Sequence, residues 1–409
     1  MKKRKDPRGR VLKDGEVYRK TDDSYMYRWT SSDGKRHTIY AKTLEALREK
    51  EEQHQKDVSD GIRVEASKVT VNDVYALWKR DKIGLKERTF MNYIYMYERF
   101  VLDDFGKMKV QQVKRSDARR FYNKLVDTVG ISIATLDSIH TVLCQVFKIA
   151  VEDMYIRTNP VSELLGEIKR AHNYQAPKRH ALTIPQQEAF LNYVAETPKY
   201  MHWLPLFTFF LGTGCRVGEV VGLRWCDVNF DENYIDINHS VAYYQKDGRA
   251  STYSVSTPKT EAGNRIIPML PEVKEAIYSE KAYQDEVGLT CQANIDGYTD
   301  FIFLNRFGAT HNPSTINRTI SRIVLAYNEQ ELEKSELEDR EPLLLPQFSC
   351  HNLRHTFATR YCENETNLKV IQEILGHKDI ATTMDVYAEA TKDAKVKSFE
   401  NLQGKIKIR

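Results

Sequence analysis

Little in this chain is built for covalent staples, membrane spans or bound nucleotides. Its six cysteines (Cys144, Cys215, Cys226, Cys291, Cys350 and Cys362) are scattered and form no CxxC pair. That argues against a disulfide framework or a Cys-rich zinc site, and for reduced thiols. No run approaches the roughly 18 apolar residues that span a bilayer. The basic N-terminus has no apolar segment behind it, so it does not read as a secretory leader. The phosphate loop GxxxxGK[ST], the dinucleotide fingerprint GxGxxG and the nucleophile elbow GxSxG are all missing. Heptads, repeats of 20–50 residues and low-complexity tracts are missing too. These absences lead to the expectation of a cytoplasmic protein with no nucleotide cofactor.

What is present is ample for a core. With 409 residues, 41% of them hydrophobic, the chain can form two or three domains, each burying its own interior. Net charge is only +4, which says little about partners, but its distribution is uneven. Residues 1–50 hold 15 Lys and Arg against 8 Asp and Glu, an excess of seven. The opening "MKKRKDPRGR" reads as a basic arm suited to polyanions.

Three regimes follow one another. Within 16–41, "EVYRKT", "SYMYRWT" and "RHTIYA" read as short strands, with Tyr25, Tyr27 and Trp29 sharing one face of the second. A charged helix runs over about 43–57 with Thr43 as its N-cap, and "SDGIRVEASK" then looks like a linker. Residues 70–165 read as four helices, the first announced by Thr70 and Asp73 in an [ST]-x-x-[DE] capping pattern. The last of the four, about 134–155, turns Leu136, Ile139, Leu143, Val146, Phe147 and Ala150 inward. The basic stretch 167–183 reads as an interdomain linker. From 184 on, helices at 184–196 and 202–211 precede strand-like "NYIDIN", "TYSVS" and "NRIIPM", a helix from Pro271, and a strand at "DFIFLN". The acidic "EQELEKSELEDREP" reads as a solvated helix end and loop.

The third regime carries cationic and imidazole groups at helix-compatible spacing. In "TGCRVGEVVGLRW", Arg216 falls in the first turn of an apolar helix, and Glu219, three residues on, can brace its guanidinium. In "HNLRHTFATRYC", His351 and Arg354 are again three apart. "STPKTEAGNR" places Lys259 at the tip of a hairpin between two strands. "ILGHKDIATTMDVYAEA" sets His377 after a helix-ending glycine and Tyr387 ten residues later. The pair His351 and His355 has the spacing of a zinc-binding HExxH, yet Asn352 stands where the glutamate base belongs, which argues against a metal hydrolase. Taken singly, each group has a plain reading: a helix ion pair, capping histidines, a turn lysine, one tyrosine among 23. Their joint occurrence is what calls for explanation.

In order, spacing and flanking words ("TGCRVGEVVGLRW", "LRHTFATR", "LGHKDIATTMDVYA"), this set resembles the tyrosine recombinase (phage integrase) family. The N-terminal unit resembles the arm-binding domain of integrases from Gram-positive conjugative transposons. The resemblance implies a multidomain α+β chain: an arm-type DNA-binding domain of three strands and a helix (1–65), a helical core-binding domain (66–166), the linker (167–183), and a mainly α catalytic domain with a small antiparallel sheet and a C-terminal tail (184–409). It implies Arg216, Arg354 and His377 as ligands of the scissile phosphate, Lys259 as proton donor to the leaving oxygen, His351 as base, Tyr387 as nucleophile and Glu219 as their brace.

The chemistry needs such groups. Attack on a phosphodiester builds charge on the non-bridging oxygens, which forked guanidiniums clamp at any working pH. A phenol, with an ordinary pKa near 10, needs a base. The phosphotyrosine retains the bond energy, so neither metal nor other cofactor is required. Implied partners are double-stranded DNA at core and arm sites and a homotetramer on paired sites, with room for an excision factor and no membrane. Two rivals stand beside this reading: a type IB-like topoisomerase that only relaxes supercoils, and a DNA-binding protein without catalysis.

Overall fold

The computed structural model describes residues 4–30, 34, 36–63, 67–176, 180–245, 251–258 and 263–390. The chain divides at residues 176 and 177 into two compact units.

In the first unit, β1 (Glu16–Arg19), β2 (Ser24–Thr30) and β3 (Arg36–Ala41) form an antiparallel meander in chain order. Tyr25 faces Ala41, Tyr27 faces Ile39 and Trp29 faces His37 across β2 and β3. Helix α1 (Leu44–Ser59) starts where the Thr43 hydroxyl accepts the Ala46 N–H at 3.2 Å, as its cap position predicts. Leu44 and Leu47 pack under Tyr25, Tyr27 and Ile39. The basic arm is only in part an arm. From Arg4 on it doubles back, with Leu12 N bonded to Arg4 O at 2.9 Å. Asp6 pins the turn by accepting from Arg10 Nε at 2.8 Å and from the Tyr25 hydroxyl at 2.9 Å.

Helices α2 (Val71–Asp81), α3 (Glu87–Phe100), α4 (Arg115–Asn123), α5 (Ile133–Glu152) and α6 (Leu164–Ala171) follow. Thr70 and Asp73 make the reciprocal capping box at the start of α2. Trp78, Tyr97, Tyr122 and Phe147 are fully buried at its centre, and each side chain contributes about 2–3 kcal/mol by leaving water. Among the described residues α5 is the one helix long and apolar enough to cross a membrane, but its apolar side is this core. Helix α6 corrects the expected linker at 167–183, whose first five residues are helical. Leu164, Leu165 and Ile168 share one face and bury it in the same core, overriding the polar composition. In the expected linker that follows α1, Arg63 is likewise anchored: its N–H donates to Met154 O at 3.0 Å and its guanidinium lies over Tyr155.

The second unit opens with α7 (Ile184–Glu196), α8 (Leu204–Thr213) and α9 (Val217–Gly222). Then come β4 (Val228–Asn229), β5 (Tyr234–Ile237), β6 (Ser240–Gln245), β7 (Ser251–Ser256) and β8 (Arg265–Pro268). It closes with α10 (Pro271–Val287), α11 (Pro313–Leu337), α12 (Cys350–Asn364), α13 (Leu368–Leu375) and α14 (Ile380–Ala390). The strands form two sheets, β4-β5-β8 and the hairpin β6-β7. Phe190, Phe207, Phe209 and Phe210 anchor the core beneath them. Two expectations fail here. "DFIFLN" makes only isolated bridges, Phe301 with Arg224 and Leu304 with Thr310, because Phe301, Ile302 and Phe303 are buried on successive sides rather than alternating. The strands on either side of Lys259 do not pair with each other as a hairpin would: β7 pairs with β6 and β8 with β5.

Candidate active site

The site begins at the end of α8. Gly214 closes that helix in the left-handed region (φ +61°), and a Cβ there would collide with the Phe357 ring of α12, so the position requires glycine. Two residues on, Arg216 is not in the first turn of α9 but at its N-cap, with extended backbone (φ −72°, ψ 148°). Glu219 is therefore the third helical residue, where a carboxylate reaches back to the cap. It accepts the Arg216 backbone N–H at 2.8 Å and Arg216 Nη1 at 2.8 Å. The same carboxylate takes Arg265 Nη2 at 2.8 Å and Nη1 at 3.2 Å, so it lies between two guanidiniums.

On α12, Ser349 caps the helix start with Asn352 reaching back at 3.1 Å, which sets His351 in the first turn, exposed, and Arg354 one turn on, buried. Arg354 donates from Nη1 to Gly214 O and from Nη2 to Leu375 O, both at 2.6 Å. Helix α13 ends at Gly376 (φ +61°), with His377 N closing on Gln372 O at 3.1 Å. Its last carbonyls carry the negative end of the helix dipole. Three successive ones each meet a different arginine: Ile374 O takes Arg265 Nε at 2.7 Å, Leu375 O takes Arg354, and Gly376 O takes Arg216 Nη2 at 2.8 Å. His377 follows directly, its Nδ1 3.0 Å from the hydroxyl of the buried Thr383 on α14.

The charges act on one another. Burial favours a neutral Glu219, but the hydrogen bonds and charges of Arg265 and Arg216 outweigh it and hold the carboxyl down at about 2. Burial, then the neighbouring Arg216, lowers Arg354 to about 10, which leaves it cationic at neutral pH. Burial, then Arg354, Arg216, Arg265 and His351 in turn, push His377 down to about 4, so its imidazole is neutral.

Tyr387 sits on α14, whose inner side packs on Ala358, Cys362, Ile371 and Leu375 of α12 and α13. The fold thus gathers Arg216, Glu219, His351, Arg354, His377 and the helix bearing Tyr387 around the end of α13. Lys259 lies outside the described residues. Sequence reasoning missed Arg265 and Thr383. For Arg265 a signal existed: in "RIIP" the buried phase is Arg265 and Ile267, with Ile266 exposed, so a cation occupies an inward strand position. For Thr383 there was none.

Comparison with known proteins gives the same picture. Residues 180–394 match the phage integrase family, 1–58 the DNA binding domain of Tn916 integrase, and 70–126 a phage integrase N-terminal SAM-like domain. The transposase from transposon Tn916 of Enterococcus faecalis is 30% identical, over 98% of this chain and 96% of its own. The transposase from Tn1545 of Streptococcus pneumoniae matches equally, at 30% over the same shares. Among solved structures, the Tn1549 transposon integrase in complex with transposon right end DNA superposes with a TM-score of 0.69 at 28% identity, covering 82% of this chain and all of that one. A lambda integrase tetramer bound to a Holliday junction shares the fold at 18% identity and a TM-score of 0.55, covering 90% and 97% of the two chains.

Proposed function

This chain belongs to the phage integrase family of tyrosine recombinases, and from that premise we infer what each residue of its site does. The protein is a site-specific DNA recombinase of the transposon integrase kind, acting on double-stranded DNA to integrate and excise a mobile element. The observation that carries the residue assignments is the convergence of Arg216, Arg354 and His377 on one helix end, beside the helix of Tyr387.

In the proposed step the Tyr387 hydroxyl oxygen attacks the scissile phosphorus. The bond to the 5′-oxygen breaks as the phosphotyrosyl bond forms, leaving the phosphate on the 3′ end. The phenolic proton passes to His351, and Lys259 protonates the departing 5′-oxygen. Arg216 and Arg354 are each held by part of their N–H set and offer the remainder to the non-bridging oxygens. Such preorganised donors are worth roughly 2.7–4 kcal/mol apiece in rate. In the tautomer whose Nδ1 accepts from the Thr383 hydroxyl, neutral His377 keeps its Nε2–H as a further donor to the phosphate. Attack by the 5′-hydroxyl of another strand reverses the step. Two duplexes present four strands and each site holds one tyrosine, so we propose a homotetramer on paired DNA sites. Within it, residues 1–65 read arm sites, 66–171 and 184–409 engage the core site, and residues 172–183 join them.

Mixed with a nicked suicide core site, the wild-type protein forms a covalent complex that survives SDS. Tyr387→Phe abolishes that complex while retaining DNA binding. A covalent complex formed by Tyr387→Phe would refute the nucleophile assignment.

A further inference from the structure

We propose that Arg265 is a positioning residue of this recombinase, one that sets the Arg216 guanidinium and the His377 turn through Glu219 and the end of α13. The inference rests on the roles just given to Arg216 and His377. Arg265 resembles an inner copy of Arg216, since both hold Glu219 and both cap a carbonyl of the same helix end. Their exposure separates them. The Arg216 side chain is 41% exposed, whereas that of Arg265 is 5% exposed. Every polar contact of Arg265 points inward: Nε to Ile374 O, Nη1 and Nη2 to Glu219, and Nη2 to Cys215 Sγ at 3.7 Å. All three of its nitrogens are thus engaged inside the protein, whereas the equally buried Arg354 is held by two of its five N–H groups.

What Arg265 governs is how Glu219 divides its attraction. Two guanidiniums share the carboxylate, so Arg216 is steadied by it without being wholly claimed. Remove Arg265, and a buried carboxylate is left with Arg216 as its cation. A charge in that setting draws its remaining partner into the tightest pairing the geometry permits. Arg216 then turns toward Glu219 and its outward N–H groups leave the place a phosphate would occupy. At the same time Ile374 O loses its donor, which loosens the turn that carries Gly376 and His377. Both effects fall on the scissile phosphate alone, so they strike the rate of phosphoryl transfer while the other backbone contacts hold the affinity.

The test uses the full-length protein and the nicked suicide site, with single-turnover formation of the covalent complex at saturating DNA. Affinity is measured by anisotropy in the Tyr387→Phe background, and folding by thermal melting. Arg265→Gln lowers the rate by about 10²-fold, the scale of one lost transition-state donor, with Kd within about threefold of wild type. Adding Glu219→Gln removes the unshared carboxylate and recovers at least about tenfold of the lost rate, a reversal that a simple loss of packing does not produce. Should Arg265→Gln not fold, Arg265→Lys serves. It keeps the charge, but a single ammonium cannot hold both Ile374 O and the Glu219 fork, so the rate falls about tenfold. Wild-type rates in both Arg265 variants overturn the proposal. So does a rate loss matched by equal losses of affinity or melting temperature, or a double variant slower than the single one. Failure of the wild-type protein itself to form the complex would refute the nucleophile reading before any Arg265 variant is compared, and this inference with it.

Discussion

Glu280 on α10 is a buried carboxyl whose described polar partner is an amide: Gln284 Nε2 donates to its Oε1 at 2.7 Å. It lines a cavity of about 560 Å³ with His202 and Tyr283. Burial raises it to about 7, and the Gln284 hydrogen bond offsets only part of that. In the unfolded chain a glutamate titrates near 4.5, so between pH 4.5 and 7 the folded state holds the extra proton. Stability from this group is therefore fully present below about 4.5 and is lost as pH rises through 7. Glu280→Gln removes the penalty of the buried anion while keeping an oxygen for Gln284. At pH 8 the variant is more stable than wild type by about 1–3 kcal/mol, and at pH 4.5 the two are equal within error. Denaturant melts at the two pH values check this, and equal stability at pH 8 would count against it. His377 has the opposite sign. Depressed to about 4, it contributes stability that is present above 6.5 and declines as pH falls toward 4. The two residues pull the acid side of the stability profile in opposite directions.

At the scale of elements, the site depends on how helices end. Gly214 stops α8, and its carbonyl then becomes the anchor of Arg354. Gly214→Ala adds a Cβ in a left-handed conformation and drives it into Phe357. Destabilisation of about 2–4 kcal/mol follows from the two effects together. In a unit of this size that lowers the melting temperature by roughly 5–15 °C. Because the displaced carbonyl serves Arg354, covalent cleavage at a temperature where the variant remains folded falls further than core-site binding does. Melting and cleavage assays on the same preparation would test both halves. Helix ends were also what the sequence made most legible. The caps at Thr43 and Thr70 and the stop at Gly376 are local chemistry, written within four residues. Strand partners were not legible, since pairing β8 with β5 rather than β7 is decided by packing across the unit. The catalytic words pointed to Arg216, Arg354 and His377, but not to the helix end that unites them. Neither Ile374 nor Leu375 bears a side chain that could announce a carbonyl's role. Arg265, too, looked like any cation opening a strand until its inward phase was set against Glu219.

On the scale of the whole molecule, a net charge of +4 cannot by itself account for tight DNA binding, so affinity must come from local concentrations of charge. The N-terminal fifty residues, with their excess of seven cations, are one such place. The structure indicates that they can be removed without undoing the rest of their unit. Among the described residues the apolar core of α2 to α6 runs from Val71 onward, joined from before α2 by Val69 alone, so no described side chain of the N-terminal sheet belongs to it. The described polar ties between the two parts are few: Arg63 N donates to Met154 O at 3.0 Å with its guanidinium over Tyr155, and Arg157, its side chain 42% exposed, bonds Asp57 at 2.7 Å and Asp60 at 2.6 Å. Losing exposed pairs of this kind costs at most about 1 kcal/mol. A chain lacking residues 1–65 therefore melts within a few degrees of the full protein and cleaves a core-site suicide substrate within about threefold of its rate. What it loses is the arm. Binding to arm-site DNA collapses, and with it the steep dependence on salt that several phosphate contacts impose. Integration of DNA bearing both arm and core sites drops while cleavage of the isolated core persists. The comparison is run at two salt concentrations, because arm contacts matter most where screening is weak. Equal integration of arm-bearing DNA by the truncated and full-length proteins at both salts would place DNA selection wholly in residues 66–409.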